Sequence, residues 1–140
     1  MSRRDPTETE IRELLERSRA VAVVGLSSDP RRPSHGVARA LQRYGFKVFP
    51  VNPNLDGPVL GERPYASVEE IPYPVDIVDV FRRSEEVLPV AAGAVTAGAK
   101  VFWTQLGVVN EEAARLAAES GMTVVMDRCL AVEYTRLMGR

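Results

Sequence analysis

The chain has 140 residues, 45% of them hydrophobic, and its 18 Lys and Arg nearly balance 19 Asp and Glu to a formal net charge of -1. That length fits one domain with a core of its own, while the lone Cys129 and lone His35 exclude an internal disulfide, a cysteine-rich zinc site and a multi-histidine metal site. The charge balance argues against a nucleic-acid partner, the lack of a long apolar run argues against a membrane, and the cysteine usage fits a cytoplasmic setting.

Thr7 followed by Glu10 has the spacing of a capping box, and Ile11, Leu14 and Leu15 fall on one helical face. Residues 1–14 read as an N-terminal helical extension to a domain covering 15–140. Ala20 to Val24 reads as the first buried strand, ending at Gly25. After a polar loop, Ser34 is the expected cap of a helix carrying Val37, Leu41 and Tyr44, which Gly45 stops. Residues 46–51 form the expected second strand. Strand, glycine-bearing loop, helix and strand in this order open a right-handed parallel βαβ unit.

Residues 52–64 are rich in Asn, Pro and Gly and read as a loop, with room for a short strand at Val59 and Leu60. Ser67 and Glu70 suit a brief helical turn, and residues 75–81 a third strand. Ser84 is the expected cap of the next helix, whose body, Val87 to Ala97, is almost wholly apolar. That helix belongs either inside the monomer or at a contact between copies, so a monomer and a small homo-oligomer both stay open. Residues 100–103 give a fourth strand, Asn110 caps a helix with Glu111 and Glu112 in its first turn, and residues 122–126 give a fifth strand. Leu130, Tyr134 and Leu137 mark a final amphipathic helix. Strands that are apolar rather than alternating suit a sheet with helices on both faces. The expected fold is α/β, a Rossmann-like three-layer fold with a five-stranded parallel sheet. Its order, 3-2-1-4-5, is taken from the doubly wound template.

In such a sheet ligands lie beyond the carboxyl ends of the strands, where the strand order reverses. The first loop there holds Gly25 for a tight turn, Ser27 and Ser28 as hydroxyl donors, Arg31 or Arg32 as charge, and a helix start near Ser34 with open amides. It is neither G-x-G-x-x-G nor a P-loop, and an ordinary turn is the competing reading. At the end of the second strand, Val51, Asn52 and Pro53 stand where dinucleotide domains often carry a ribose-binding acid. Phe81 ends the third strand as a candidate adenine contact, and Arg82 and Arg83 after it read as phosphate contacts or, for one of them, as a solvent-facing residue. After the fourth, Trp103 reads either as core or as a cleft residue, Gln105 brings a two-way hydrogen-bonding amide, and the backbone from Gly107 through Val108 to Asn110 is a candidate phosphate nest. Cys129 reads as a small apolar residue before a reactive thiol, and His35 as a phosphate ligand or a local hydrogen-bond partner. Asp76 and Asp79 do not make a paired-carboxylate site, and no catalytic constellation is assigned.

Val23-Val24-Gly25-Leu26-Ser27, Pro50-Val51-Asn52-Pro53, Val75-Asp76-Ile77-Val78-Asp79-Val80-Phe81-Arg82 and Trp103-Thr104-Gln105-Leu106-Gly107-Val108 occur in one order and spacing. With Asp127-Arg128-Cys129, Glu133 and Tyr134, they resemble the CoA-binding domain family, which is similar to the nucleotide-binding domain of the succinyl-CoA synthetase alpha subunit. The resemblance implies coenzyme A or an acyl-CoA as ligand. It implies that Gly25, Ser27 and Ser28 face the phosphates and that Val51, Asn52 and Pro53 border the adenosine. Phe81 and Arg82 then line the cleft, with Trp103, Gln105, Gly107, Val108 and Asn110 along the remaining wall. The implied role is a stand-alone CoA-binding protein; a small enzyme of acyl-CoA or nucleotide chemistry and an NAD(P)-binding module are the alternatives.

Overall fold

The computed structural model describes residues 4–139. Five parallel strands, β1 (Ala20–Val24), β2 (Lys47–Val51), β3 (Ile77–Val80), β4 (Val101–Thr104) and β5 (Thr123–Val125), form one sheet. Five helices, α1 (Glu8–Arg17), α2 (Pro33–Arg43), α3 (Val87–Ala97), α4 (Glu111–Glu119) and α5 (Leu130–Met138), cover its two faces. The three-layer α/β architecture is the expected one.

The strand order is β2-β1-β3-β4-β5, which corrects the expected 3-2-1-4-5. The template order needs a strand outside β2, and the proline-rich segment after β2 supplies a single residue there. Tyr65 forms one parallel bridge to Val51, its N–H donating to the Pro50 carbonyl and its own carbonyl accepting from Asn52. Val59 and Leu60 belong instead to a tight turn, with Val59 bridged antiparallel to Glu62 and Leu60 at φ 54°. The strand expected third therefore pairs with the other edge of β1. The reversal of strand order falls between β1 and β3, so the cleft opens above those two strands.

Alternate residues of each strand enter opposite apolar clusters, as the two-residue strand period requires. Ala22, Val24, Val78, Val80 and Phe102 pack under α3 and α4, while Val21, Val23, Ile77 and Trp103 pack under α1, α2 and α5. Ile11, Leu14 and Leu15 of α1 join the second cluster, and the Thr7–Glu10 capping box is present. The apolar α3 packs against α4 and the turn at Val68–Glu70. At Gly93 on α3 a Cβ would stand 2.5 Å from Glu69 Oε1, the free end of an exposed side chain that can move aside. No described helix is long and apolar enough to cross a membrane.

Candidate functional site

A cavity of about 680 Å³ opens over the carboxyl ends of β1, β3 and β4. The β1–α2 loop supplies Gly25, Ser27, Arg32, Pro33 and Ser34; the other walls are Phe81, Arg82 and Arg83 after β3, and Gln105, Leu106 and Val108 after β4. Three of these residues are arginines and none is acidic. A second cavity, of about 570 Å³, lies at the opposite end of β1 and β2, and its Lys47 is already paired with Glu62 at 2.7 Å. The first cavity is the one at the strand-order reversal.

Gly25 is required where it stands. Its φ is +88°, and a Cβ at this position would collide with the Phe81 carbonyl oxygen. Its N–H donates to the Val51 carbonyl at 2.8 Å, so β1, β2 and β3 meet at this turn. The rest of the loop is shaped by its own side chains. Ser34 Oγ accepts from the Ser27 amide at 3.0 Å, Ser27 Oγ accepts from Asp29, and Asp29 accepts from the Arg31 amide and guanidinium. The Arg31 guanidinium holds the Asp29 carboxyl below its ordinary range.

These bonds separate the expected ligands of the loop. Arg31 is engaged by Asp29 and does not line the cavity, whereas Arg32 lines it, and its guanidinium makes no hydrogen bond or salt bridge among the described residues, although its charge helps to lower Asp29. Ser28 is exposed outside the cavity lining. Ser34 lines the cavity but does not cap α2 in the expected way: Arg32 is the N-cap, Pro33 occupies the first turn, and Ser34 Oγ is used by the loop. Ser84 likewise caps no helix; its Oγ accepts from Val109, and its carbonyl accepts from Asn110 Nδ2.

Val51, Asn52 and Pro53 do not line the cavity. Val51 is core, Pro53 is exposed, and the Asn52 side chain closes the exit of β2 by donating to the Leu26 carbonyl and accepting from Asn54. Trp103 resolves to core: it is fully buried, and its Nε1 donates to the Arg128 carbonyl at 2.8 Å.

The candidate nest at residues 107–110 is closed from within. The Gly107 amide donates to Asp127 Oδ1 at 2.6 Å, the Val108 amide to the Gln105 carbonyl, and the Val109 amide to Ser84 Oγ. Asn110 Oδ1 caps α4 at the Ala113 amide, as expected. Thr104 Oγ1 donates to the Val108 carbonyl and accepts from the Asp127 amide. Behind this loop, Glu133 is buried and held by two cations. The Arg136 guanidinium, with Arg128 second, keeps its carboxyl below the ordinary range.

The structure thus brings Gly25, Ser27, Arg32, Ser34, Phe81, Arg82, Gln105 and Val108 to one cavity. It adds Pro33 and Leu106, which sequence reasoning had not assigned, and Arg83 beside Arg82. Leu106, 68% exposed, was legible only as an apolar residue in a loop. Arg83 reaches the cavity while bonded to Glu86 at 2.8 Å. The arrangement offers arginine and hydroxyl groups on one side and an apolar wall on the other.

Comparison with known proteins gives this pattern a lineage. The sequence profile of the CoA binding domain matches residues 19–135. The Bacillus subtilis (strain 168) uncharacterized protein YneT is 48% identical over 130 residues, 93% of this chain and 96% of that protein. The alpha subunit of the Pyrococcus furiosus ADP-forming acetate–CoA ligase II is 30% identical over 128 residues, 84% of this chain but 28% of that subunit. A solved hypothetical protein from Pyrococcus horikoshii OT3 has a TM-score of 0.92 at 37% identity, over 99% of each chain. The matched span contains all five strands and every loop that builds the cleft, and the chain belongs to the CoA-binding domain family.

Proposed function

We propose that this chain binds coenzyme A or an acyl-CoA in the cleft above β1, β3 and β4, as a binding protein in the cytoplasm rather than as a catalyst. The observation that carries this reading is the lining itself. Arg32 and Arg82 have no ion-pair partner among the described residues, and they share the cleft with Ser27, Ser34 and no carboxylate. Phosphate oxygens suit those groups, because arginine offers several donors in a planar fork. Phe81, Leu106 and Val108 offer apolar surface to the pantetheine arm or an acyl group. Membership of the family supports the same ligand.

An NAD(P) reading is weaker here. The end of β2 presents Asn52, whose amide is already bonded at both ends, in place of a ribose-binding acid. Isothermal titration of the purified chain with CoA, acetyl-CoA, NAD and NADP separates the readings. Saturable heat with CoA or acetyl-CoA and none with the dinucleotides is expected. Dinucleotide binding without a CoA response overturns the proposal.

A further inference from the structure

Buried polar groups are almost always hydrogen-bonded. Among the described residues, three buried side-chain oxygens have no partner: Oδ1 and Oδ2 of Asp79 and Oε1 of Gln105. They are neighbours in the sheet. Asp79 lies on the central strand β3, fully buried, in register with Val23 on β1 and Trp103 on β4. Gln105 follows β4 two residues after Trp103, and its amide donates to the Val80 carbonyl at 3.1 Å, extending the ladder. Residues two apart on a strand share a face. Asp79 and Gln105 therefore sit on the same face of adjacent strands, with Asp79 one pleat, about 7 Å of strand, below the cleft floor.

The surroundings of Asp79 offer it little else. Its neighbours in the row, Val23 and Trp103, belong to the apolar cluster, and the Trp103 Nε1 donor is committed to the Arg128 carbonyl. Burial pushes the carboxyl well above its ordinary range, and no charged neighbour contributes to that shift. Burial therefore favours the protonated form, which has one O–H to donate. On its own face, Gln105 Oε1 is the acceptor left open.

We propose that Asp79 is a positioning residue of the cleft: it donates, directly or through one buried water, to Gln105 Oε1, and so holds the Gln105 NH₂ group toward the ligand. The ligand half of this statement rests on the coenzyme A reading; the Asp79–Gln105 link does not.

The test uses Asp79→Leu, which removes the donor, and Asp79→Asn, which keeps a neutral donor of similar size. The Gln105 side-chain ¹H–¹⁵N signals, assigned by their loss in Gln105→Ala, should move in Asp79→Leu and stay near wild type in Asp79→Asn. Affinity for CoA should fall about tenfold in Asp79→Leu, the worth of one neutral hydrogen bond at the upper end. The unfolding midpoint of that variant should rise. A role confined to stability would move affinity and stability together. A reciprocal measurement leaves Asp79 in place: Gln105→Met should shift the infrared C=O stretch of the protonated Asp79 carboxyl. Unmoved Gln105 signals in Asp79→Leu, or an unmoved carboxyl stretch in Gln105→Met, overturn the link. Moved signals with unchanged CoA affinity overturn the positioning role. Moved signals in Asp79→Leu, together with no CoA binding by the wild-type protein, keep the link and remove the coenzyme reading instead.

Discussion

The two loops that face each other across the cleft solve their polar groups in opposite ways. The β1–α2 loop turns at Gly25, folds over the Ser27–Ser34 and Asp29–Arg31 bonds, and leaves Arg32 unpaired at the cavity. The β4–α4 loop has its polar groups taken up by neighbours: Gly107 by Asp127, Val109 and Asn110 by Ser84, and Val108 by Gln105 and Thr104. What it presents to the cleft is apolar, Leu106 and Val108, together with the Gln105 amide. In the proposed coenzyme A reading, charge recognition therefore falls to the first loop and to Arg82 after β3, with the second loop as a preshaped wall. The first loop is mostly polar, while the second sets Leu106, Val108 and Val109 among its polar residues, so the difference lies both in composition and in what the rest of the fold does with their hydrogen bonds.

The largest effect should come from breaking the first loop at its turn. Gly25→Ala adds a Cβ against the Phe81 carbonyl and forces a side-chain residue to φ +88°. Strain of this kind plus a backbone shift should cost about 3 kcal/mol or more. Urea unfolding should show the loss, and CoA binding should disappear with it. A variant as stable as wild type would mean that the turn relaxes freely and that the loop is not fixed by Gly25.

Next in size is the pH dependence set by the acid beneath the second loop. In the unfolded chain an Asp titrates near 3.9, whereas burial holds the Asp79 proton to higher pH in the folded state. As pH rises from about 4, the unfolded chain releases this proton first. Stability from this group is thus greatest in acid and falls with a slope of up to about 1.4 kcal/mol per pH unit, levelling once the folded carboxyl ionises. Asp79→Asn removes that slope. The difference between variant and wild type, read by urea unfolding at a series of pH values, should widen in favour of the variant from pH 4 upward. A constant difference would show that Asp79 is ionised alike in both states.

The clamp on the second loop should rank third. Asp127 sits at φ 64° and accepts the Gly107 amide at 2.6 Å. Asp127→Ala removes the acceptor and places Ala in a left-handed conformation, costing about 1–2 kcal/mol. Asp127→Asn keeps an acceptor and tolerates that conformation, so it should stay within about 0.5 kcal/mol of wild type. If the second loop is a wall positioned by this clamp, CoA affinity should fall in the Ala variant and recover in the Asn variant.

The fold was legible wherever local chemistry decided it. Apolar runs closed by Gly25 and Gly45 marked a strand end and a helix end, and Thr7, Glu10 and Asn110 cap as their spacing predicts. Strand order was not legible, because it turns on whether residues 52–76 build a strand outside β2, and a single bridge at Tyr65 replaces it. The site was legible as a set of loops and not as contacts. Nothing local to Gly107 announces that Asp127, twenty residues on, takes its amide. Nothing local to Trp103 says that its indole turns into the core toward Arg128. Such long-range partners decide which loop polar groups remain for a ligand.

The smallest effect is the most direct test of the division between the loops, and it turns on two adjacent arginines that the sequence alone leaves equivalent. Arg31 is bound to Asp29 through Nε at 3.1 Å and NH2 at 3.0 Å, pointing its charge back into the loop. Arg32, at the N-cap of α2, lines the cavity without such a partner. Removing Arg32 as Arg32→Ala should weaken CoA by about 1 kcal/mol, roughly fivefold, and flatten the dependence of affinity on salt, since an exposed cation–phosphate contact is screened. Arg31→Ala should leave affinity near wild type, and both variants should unfold at the wild-type midpoint. Titrations at low and high salt decide the matter. Equal losses for the two arginines would mean that the Asp29 pairing opens when ligand arrives and that the first loop is not preshaped. Loss at Arg32 alone would tie recognition to the one loop cation that the protein itself leaves unpaired.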